Sequence, residues 1–147
     1  MIVEYEPLLP AGINDITKDT LENLFVVPFA FQDKRKQLVE RFGFLMEKVE
    51  ELGMTFEIWI NGSFVTKKEE PNDIDIAFFF DPSQLATLTP DKINIFNEVR
   101  NNSDSKLRYN CDVYFIPNNL QTDRIYWKGL FSFNREDKVK GFARIRV

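Results

Sequence analysis

Two acidic residues, Asp73 and Asp75, stand in an apolar part of the chain, where they could bind a divalent metal ion. The surrounding sequence, residues 58 to 80, is IWINGSFVTKKEEPNDIDIAFFF. A strand over DIDIAFFF would turn both carboxylates to one face, about 6.5–7 Å apart, because side chains alternate along a strand. Such like charges are tolerated if they are solvated, if one is protonated or if a cation lies between them. Mg²⁺ suits this role, since it takes carboxylate, phosphate and water oxygens.

A third carboxylate, Asp112, lies in the apolar stretch CDVYFIP, which predicts a further strand. Three acids on adjacent strands could hold two metal ions about 3.5–4 Å apart. One ion would lower the pKa of an attacking hydroxyl, and the other would hold a triphosphate and stabilise the leaving oxygen. Gly62-Ser63, which follows a predicted strand, could hold a phosphate through backbone N–H groups and the serine hydroxyl.

The composition narrows the chemistry that such a site can use. The chain has 147 residues, 44% of them hydrophobic, which suits one domain with one core. The absence of histidine excludes histidine bases, Ser-His-Asp catalysis and histidine-ligated zinc. The single cysteine, Cys111, excludes an intrachain disulfide and a cysteine-rich metal site, and its apolar neighbours predict a buried, inert thiol. The groups that remain available for catalysis are carboxylates, hydroxyls, amines and a metal ion bound by oxygen ligands.

Charge and hydropathy predict a cytoplasmic protein that does not contact membranes. The net charge of −4 argues against broad, nonspecific nucleic-acid binding. The acidic N-terminus does not have the pattern of a signal peptide. No apolar run reaches the ~20 residues that a membrane span needs. A single cysteine also fits the reducing conditions of the cytoplasm.

The elements that must position the acids are predicted to form an α+β fold. Apolar residues at steps of three and four predict a helix over residues 33 to 52, and Thr17 could cap a short helix at KDTLENLF. We expect Trp59 and Trp127 in the core. Further elements are strands at TFEIWI, DIDIAFFF, CDVYFIP and GFARIRV, a helix from Thr89, and a loop at NNSDS. The stretch DRIYWKGLF fits either a helix or a strand, and we favour the helix.

We therefore predict a single minimal domain with a short mixed sheet and helices largely on one face. An N-terminal arm would span residues 1 to 30, a catalytic core about residues 33 to 117, and a C-terminal helix and strand residues 120 to 147.

The spacing of Gly62-Ser63, nine intervening residues, Asp73-Ile74-Asp75 and the later Asp112 resembles the DNA polymerase beta-like nucleotidyltransferase superfamily. That signature has Gly-Ser or Gly-Gly after a strand, a spacer, Asp-x-Asp, and a third Asp on a further strand. It covers residues 56 to 116 of this chain. More narrowly, LLPAGINDIT followed by NGSFVTKKEEPNDIDI is similar to a family of short bacterial and phage nucleotidyltransferase-like proteins. The narrower resemblance runs from Leu9 to the C-terminal KGFARIRV.

The resemblance implies a nucleotidyltransferase fold and transfer of a nucleoside monophosphate from an NTP, with ATP expected, to a hydroxyl. Gly62-Ser63 would bind the β,γ-phosphates, with Lys67 as a candidate contact to the triphosphate. Asp73 and Asp75 would ligate two Mg²⁺ ions, and Asp112 would ligate the catalytic ion and act as general base. The superfamily includes antitoxins that adenylylate a toxin, toxins that extend tRNA, and antibiotic-modifying enzymes. The resemblance does not select among these, so a protein or tRNA acceptor stays open.

Plainer interpretations of the same residues stay open. Asp73 and Asp75 could be edge-strand charges that prevent aggregation, and Gly62-Ser63 could be a hairpin turn. Asp112 could be an isolated polar residue at a strand start, and Lys67 could belong to a solvated loop.

The alternative function is a catalytically silent module that binds a partner protein, such as a toxin or a defence-complex subunit. The chain has little room for a helical domain that grips an acceptor, so a partner or a second copy could supply that surface. Arg135 and Lys140 could reach a phosphate or an acceptor, or could simply lie on the surface.

Overall fold

The computed structural model describes residues 5–134 and 138–147, so Arg135 lies outside the described residues. The strands are β1 (Gly12–Asp15), β2 (Phe56–Asn61), β3 (Ile74–Phe80), β4 (Cys111–Pro117) and β5 (Gly141–Arg146). The α-helices are α1 (Leu21–Phe25), α2 (Asp33–Glu51), α3 (Pro90–Arg100), α4 (Asn102–Tyr109) and α5 (Gln121–Ser132). Short 3₁₀ turns cover Lys18–Thr20, Ser63–Val65 and Pro82–Thr87.

The strands form one mixed sheet in the order β1-β5-β2-β3-β4. Strand β2 pairs antiparallel with β3 and β5, whereas β4 pairs parallel with β3 and β1 pairs parallel with β5. The parallel β3–β4 pair requires a crossover, and α3 and α4 provide it. This arrangement confirms the predicted α+β class with a mixed sheet. Among the described residues, no helix combines the length and hydropathy needed to cross a membrane.

The two faces of the sheet are covered unequally, because side chains alternate between them. On one face, residues such as Ile76 and Val113 form the main core with α1, α2, α3 and α4. On the other face, Trp59 and Phe79 form a smaller cluster with Phe131 of α5. Four helices therefore lie on one side and α5 on the other, as expected for helices largely on one face. Trp59 is buried as predicted.

Several local predictions need correction. The NNSDS stretch is not a loop throughout, because α4 begins at Asn102 and the Asn101 side chain accepts a hydrogen bond from the Asp104 N–H. A cluster of Asn, Ser and Asp marks a helix N-terminus as readily as a loop. The helix predicted at KDTLENLF starts as the 3₁₀ turn Lys18–Thr20 and becomes α-helical only in α1. Trp127 is half-buried rather than in the core.

Strand β1 was missed because its partner is far away in the sequence. It pairs with β5, so that Gly12 lies opposite Gly141. The neighbouring Pro10 and Gly12 weaken the local strand pattern, and the pairing that creates the strand is entirely long-range.

Gly141 is where β5 comes closest to the N-terminal arm. A Cβ at this position would lie 1.9 Å from the Pro10 carbonyl oxygen and 2.8 Å from that of Leu9. Because both oxygens belong to the backbone, a change of rotamer cannot relieve the conflict. We expect Gly141→Ala to lower the free energy of unfolding by about 1–3 kcal/mol, measured by urea denaturation.

Gly43 in α2 provides the matched control, because a Cβ there meets nothing within 4 Å. We expect Gly43→Ala to raise the free energy of unfolding by up to about 1 kcal/mol through helix propensity. Equal free-energy changes for the two substitutions would contradict the close approach of the arm to β5.

Candidate active site

Three polar residues form one row across the sheet. Asn61 ends β2, Asp75 is the second residue of β3, and Asp112 is the second residue of β4. The strand register sets Asn61 opposite Asp75, and Asp75 opposite Asp112. Because Ile74 and Ile76 point into the main core, the Asp75 side chain points to the face that α5 partly covers. Strand β3 is paired on both sides, so the edge-strand interpretation is wrong for Asp75.

Asp73 lies beside this row but not in the strand. The strand predicted at DIDIAFFF begins at Ile74, one residue later than predicted, which leaves Asp73 just before it. Lys106 of α4 contacts Asp73, with 3.7 Å between Nζ and Oδ2. Asp73 thus has a cationic partner at the protein surface, whereas Asp75 lies deeper.

Asp75 carries the largest electrostatic penalty of the group. Burial raises its pKa to about 7, with further contributions from the charges of Asp73 and Asp112 and from a hydrogen bond with Asp112. The positive charge of Lys140 acts in the opposite direction and lowers the pKa. A carboxyl group with a pKa near 7 binds a proton readily at neutral pH, and it would bind a metal cation for the same electrostatic reason.

Asp112 is held by two neighbours as well as by Asp75. Asn102 of α4 donates from Nδ2 to Asp112 Oδ1 at 2.5 Å and to the Val113 carbonyl at 3.1 Å. The Tyr114 hydroxyl donates to Asp112 Oδ2 at 3.4 Å. Burial, followed by the charges of Asp112 and Asp75, raises the pKa of Tyr114, so the phenol stays a donor. Asp112 is therefore an organised carboxylate rather than an isolated polar residue at a strand start.

Gly62 brings the backbone against the Asp75 carboxylate. Its φ of 79° and ψ of −164° lie in a region that essentially only glycine occupies. A Cβ on Gly62 would lie 2.0 Å from Asp75 Oδ2. Ser63 then begins the 3₁₀ turn Ser63–Val65, so Gly62-Ser63 is not a two-residue hairpin turn. The structure thus brings the backbone at Gly62 against the Asp75 carboxylate.

Lys67 is paired with the N-terminal arm, whereas the charge of Lys140 acts on Asp75. Lys67 Nζ pairs with Glu6 Oε2 at 2.8 Å, and both side chains are exposed. Its backbone N–H also donates to the Glu6 carbonyl. The structure thus engages Lys67 with the N-terminal arm rather than with the carboxylates. Lys140 immediately precedes β5, and its charge acts on Asp75.

Asn61 was missed by the sequence analysis. Its Oδ1 is buried and has no hydrogen-bond partner among the described residues. An unpaired buried amide oxygen is costly, and this one stands opposite Asp75 in the register. The available signal was an asparagine at the end of the apolar stretch FEIWIN, directly before Gly62.

Cys111 is a buried thiol, as predicted. It is fully buried beside the acidic row, and burial together with the charges of Asp73 and Asp75 raises its pKa. A thiol with a raised pKa stays protonated at neutral pH and is a poor nucleophile and metal ligand.

Arg35 of α2 supports the segment that follows Gly62 and was also missed. This fully buried guanidinium donates to the carbonyl oxygens of Phe64, Thr66 and Lys68 in that segment, and to that of Phe25. Its charge centre also lies 3.7 Å from the Phe29 ring centroid. Burial lowers the pKa of Arg35 to about 10, so it remains protonated at neutral pH.

The oxygen atoms at this site are chemically suited to a hard cation such as Mg²⁺. Carboxylates of Asp73, Asp75 and Asp112 and the unpaired Oδ1 of Asn61 are oxygen ligands, which Mg²⁺ prefers. In the described part of the chain, no three His, Cys, Asp or Glu side chains already converge as a metal-binding group. Asn61, Asp75 and Asp112 therefore form one row with Asp73 beside it, rather than a preformed cage.

Fold and site together define an α+β domain with clustered carboxylates beside a glycine turn. The model of the Family of unknown function DUF6932 matches residues 2–146, and the chain belongs to this family. No curated protein and no solved structure matches the chain.

Replacing Gly62 tests the contact between the turn and the carboxylate. We expect Gly62→Ala to lower the free energy of unfolding by about 2–3 kcal/mol, from backbone strain and from the conflict with Asp75. Chemical denaturation of Gly62→Ala, Asp75→Ala and the double variant separates the two causes. Truncating Asp75 removes the carboxylate atoms, so the double variant should be less destabilised than the sum of the single variants. Additive free-energy changes would contradict the contact.

Proposed function

We propose that this protein is a Mg²⁺-dependent nucleotidyltransferase. It transfers a nucleoside monophosphate from an NTP, with ATP the expected donor, to a hydroxyl of a protein or RNA acceptor and releases pyrophosphate. The observation that carries this proposal is the opposition of Asp75 and Asp112 on paired strands, with the Gly62 backbone against the Asp75 carboxylate. The resemblance of the Gly-Ser and Asp-x-Asp spacing to the nucleotidyltransferase superfamily supports the same reaction.

The residues divide into metal ligands and groups that position them. Asp73, Asp75 and Asp112 would hold the Mg²⁺ ions, with Asn61 Oδ1 as a further oxygen near Asp75. Bound Mg²⁺ would neutralise the triphosphate and acidify the attacking hydroxyl. The raised pKa of Asp75 is consistent with this role, because burial and the neighbouring negative charges, which favour a proton there, also favour a neutralising cation.

Asp112 would accept the proton of the acceptor hydroxyl as that oxygen attacks the α-phosphorus and the bond to pyrophosphate breaks. Asn102 and Tyr114 already donate to its two oxygens, so they orient the carboxylate. On the donor side, Gly62-Ser63 would bind phosphate oxygens through backbone N–H groups and the Ser63 hydroxyl. The charge of Lys140, which acts on Asp75 in the free protein, would also favour a triphosphate there.

A catalytically silent module that binds a partner protein is the second candidate. Two observations favour it: Lys67 is engaged by Glu6, and the carboxylates of the described residues are not already converged on one point. Under this proposal the same row would persist without turnover, and a toxin or a defence-complex subunit would be the partner.

Nucleotide binding is the first requirement that the proposed enzyme must meet. Isothermal titration calorimetry with each of the four NTPs as non-hydrolysable α,β-methylene analogues, with and without Mg²⁺, measures binding before any chemistry. We expect Mg²⁺-dependent binding by the wild type, weakened at least about tenfold in Asp75→Asn. Asp91→Asn is the matched control, since Asp91 is exposed on α3, and it should bind like the wild type. Absence of Mg²⁺-dependent binding of every analogue would contradict the enzyme and favour the silent module.

A further inference from the structure

Helix α5 is apolar on two sides. Its inner side packs on the sheet through Phe131 and Trp127, and the Trp127 ring lies 4.9 Å from that of Tyr114. Its outer side and the adjoining chain present six large apolar residues that are 45–64% exposed. This outer α5 face consists of Leu120, Ile125, Tyr126, Leu130, Phe133 and Val139.

The outer α5 face is continuous. At about 100° per residue, the helical positions from Ile125 to Leu130 span an arc of about 140°, with Tyr126 inside it. Phe133 follows just after the helix, and a bridge pairs it with Val139. Phe and Tyr each cover about 150–250 Å² and the four aliphatic residues cover less, so the six half-exposed residues present up to about 600 Å² in total. A patch of this size lies at the upper end of what a monomer usually exposes, about 300–600 Å².

We propose that the outer α5 face is the interface of a symmetric homodimer, in which the α5 helices of two copies pack antiparallel. About 600 Å² per protomer, extended by a polar rim, approaches the roughly 800 Å² per partner of a standard interface. A twofold interface uses the same patch on both copies, so one apolar helix face is sufficient.

Gly129 marks the point at which the twofold axis would pass between the two helices. It lies on the exposed side of α5, and a Cβ there would meet nothing within 4 Å. Two helices can therefore approach closely at this point. Ile125 lies one turn before Gly129 and Phe133 one turn after it, so an axis through Gly129 sets Ile125 against the partner's Phe133.

The charges permit this pairing. The outer α5 face contains no charged side chain, and Arg124, the nearest arginine on α5, is paired with Glu57 on the sheet side at 2.7 Å. Asp123 and the exposed Lys128 of α5 flank this face, about 100–120° from Gly129 around the helix, so both charges stay at the polar rim when two copies meet here. The inner side of α5 contacts Tyr114, which donates to Asp112. The dimer would therefore hold α5 against the acidic row, although its existence does not depend on catalysis.

Sedimentation velocity over a range of protein concentrations tests the dimer. We expect the wild type to dimerise and Gly129→Lys to be monomeric, because the lysine has open space in its own chain but not at the axis. Gly43→Lys is the matched control on α2, where a Cβ also meets nothing within 4 Å, and it should dimerise like the wild type. A monomeric wild type, or a Gly129→Lys variant that dimerises like the control, would overturn the proposal.

Cross-linking places the axis independently of association strength. Cys111 is the single cysteine of the sequence and is fully buried, so an introduced surface cysteine would be the thiol that reacts. Under mild oxidation, Gly129→Cys should form a disulfide-linked dimer, whereas Gly43→Cys should not. Equal cross-linking of the two variants would overturn the assignment of the axis to Gly129.

Discussion

Replacing Asp75 by asparagine should reduce the proposed nucleotidyl transfer at least about 10³-fold, equivalent to about 4 kcal/mol in the activation free energy. Asparagine keeps the shape of the side chain but cannot supply the negative charge that a metal ligand needs. Asp73→Asn should have the same effect on transfer, since it removes the other carboxylate of the pair. Asp91→Asn, an exposed acid on α3, should retain the wild-type rate.

The same substitution should stabilise the metal-free fold at neutral pH. The pKa of Asp75 is about 7 in the folded protein, against about 3.9 in an unfolded chain. Between these values the folded state binds a proton that the unfolded state does not. The stability of the wild type must therefore fall as the pH rises from about 4 to 7.

Urea denaturation across this pH range measures the effect. The contribution of Asp75 to the pH dependence should be about 1–3 kcal/mol, and Asp75→Asn should remove it. Mg²⁺ competes with the proton, so it should stabilise the wild type more at pH 8 than at pH 6, and should do so less in the variant. If Asp75→Asn were destabilised at neutral pH, or kept the wild-type dependence of stability on pH, the Asp75 carboxylate would be a stabilising structural group. Such a result would contradict the electrostatic cost assigned to its charge.

Replacing Arg35 should produce the largest loss of stability. Removal of the guanidinium leaves four backbone carbonyls without this donor, and three of the four lose a buried hydrogen bond. We expect Arg35→Met to lower the free energy of unfolding by about 3–5 kcal/mol, measured by urea denaturation.

Arg35→Lys should recover less than half of this loss, because a lysine ammonium cannot reproduce the planar fork that reaches several carbonyls. Lys36→Met is the matched control, since Lys36 is the next residue of α2 and is exposed. It should change the stability by less than about 0.5 kcal/mol. If Arg35→Met were as stable as Lys36→Met, the segment after Gly62 would not depend on the buried cation.

The parts of the fold that follow a local pattern could be predicted from the sequence. Helix α2 follows the 3–4 spacing of its apolar residues, and β2, β3 and β4 match the predicted strands within one residue. The sequence also predicts that Asp75 and Asp112 lie on strands of one sheet, and the register sets them opposite each other.

The parts that depend on long-range contacts could not be predicted. Strand β1 exists through its pairing with β5, and Asn102 reaches Asp112 only because α4 forms where a loop was expected. Arg35 was overlooked although it stands three residues before the apolar Leu38, on the buried side of α2. A charged residue at a core position of an otherwise regular helix is the signal that was available there.

The most direct test of the proposed reaction is label transfer. Wild type, Asp75→Asn and Asp91→Asn are incubated with each α-labelled NTP, Mg²⁺ or Mn²⁺, and host lysate. Protein, tRNA and small molecules are then separated. The proposed reaction predicts a labelled acceptor with the wild type and Asp91→Asn but not with Asp75→Asn. Absence of labelling with all four NTPs, or equal labelling by Asp75→Asn, would contradict a nucleotidyltransferase centred on Asp75.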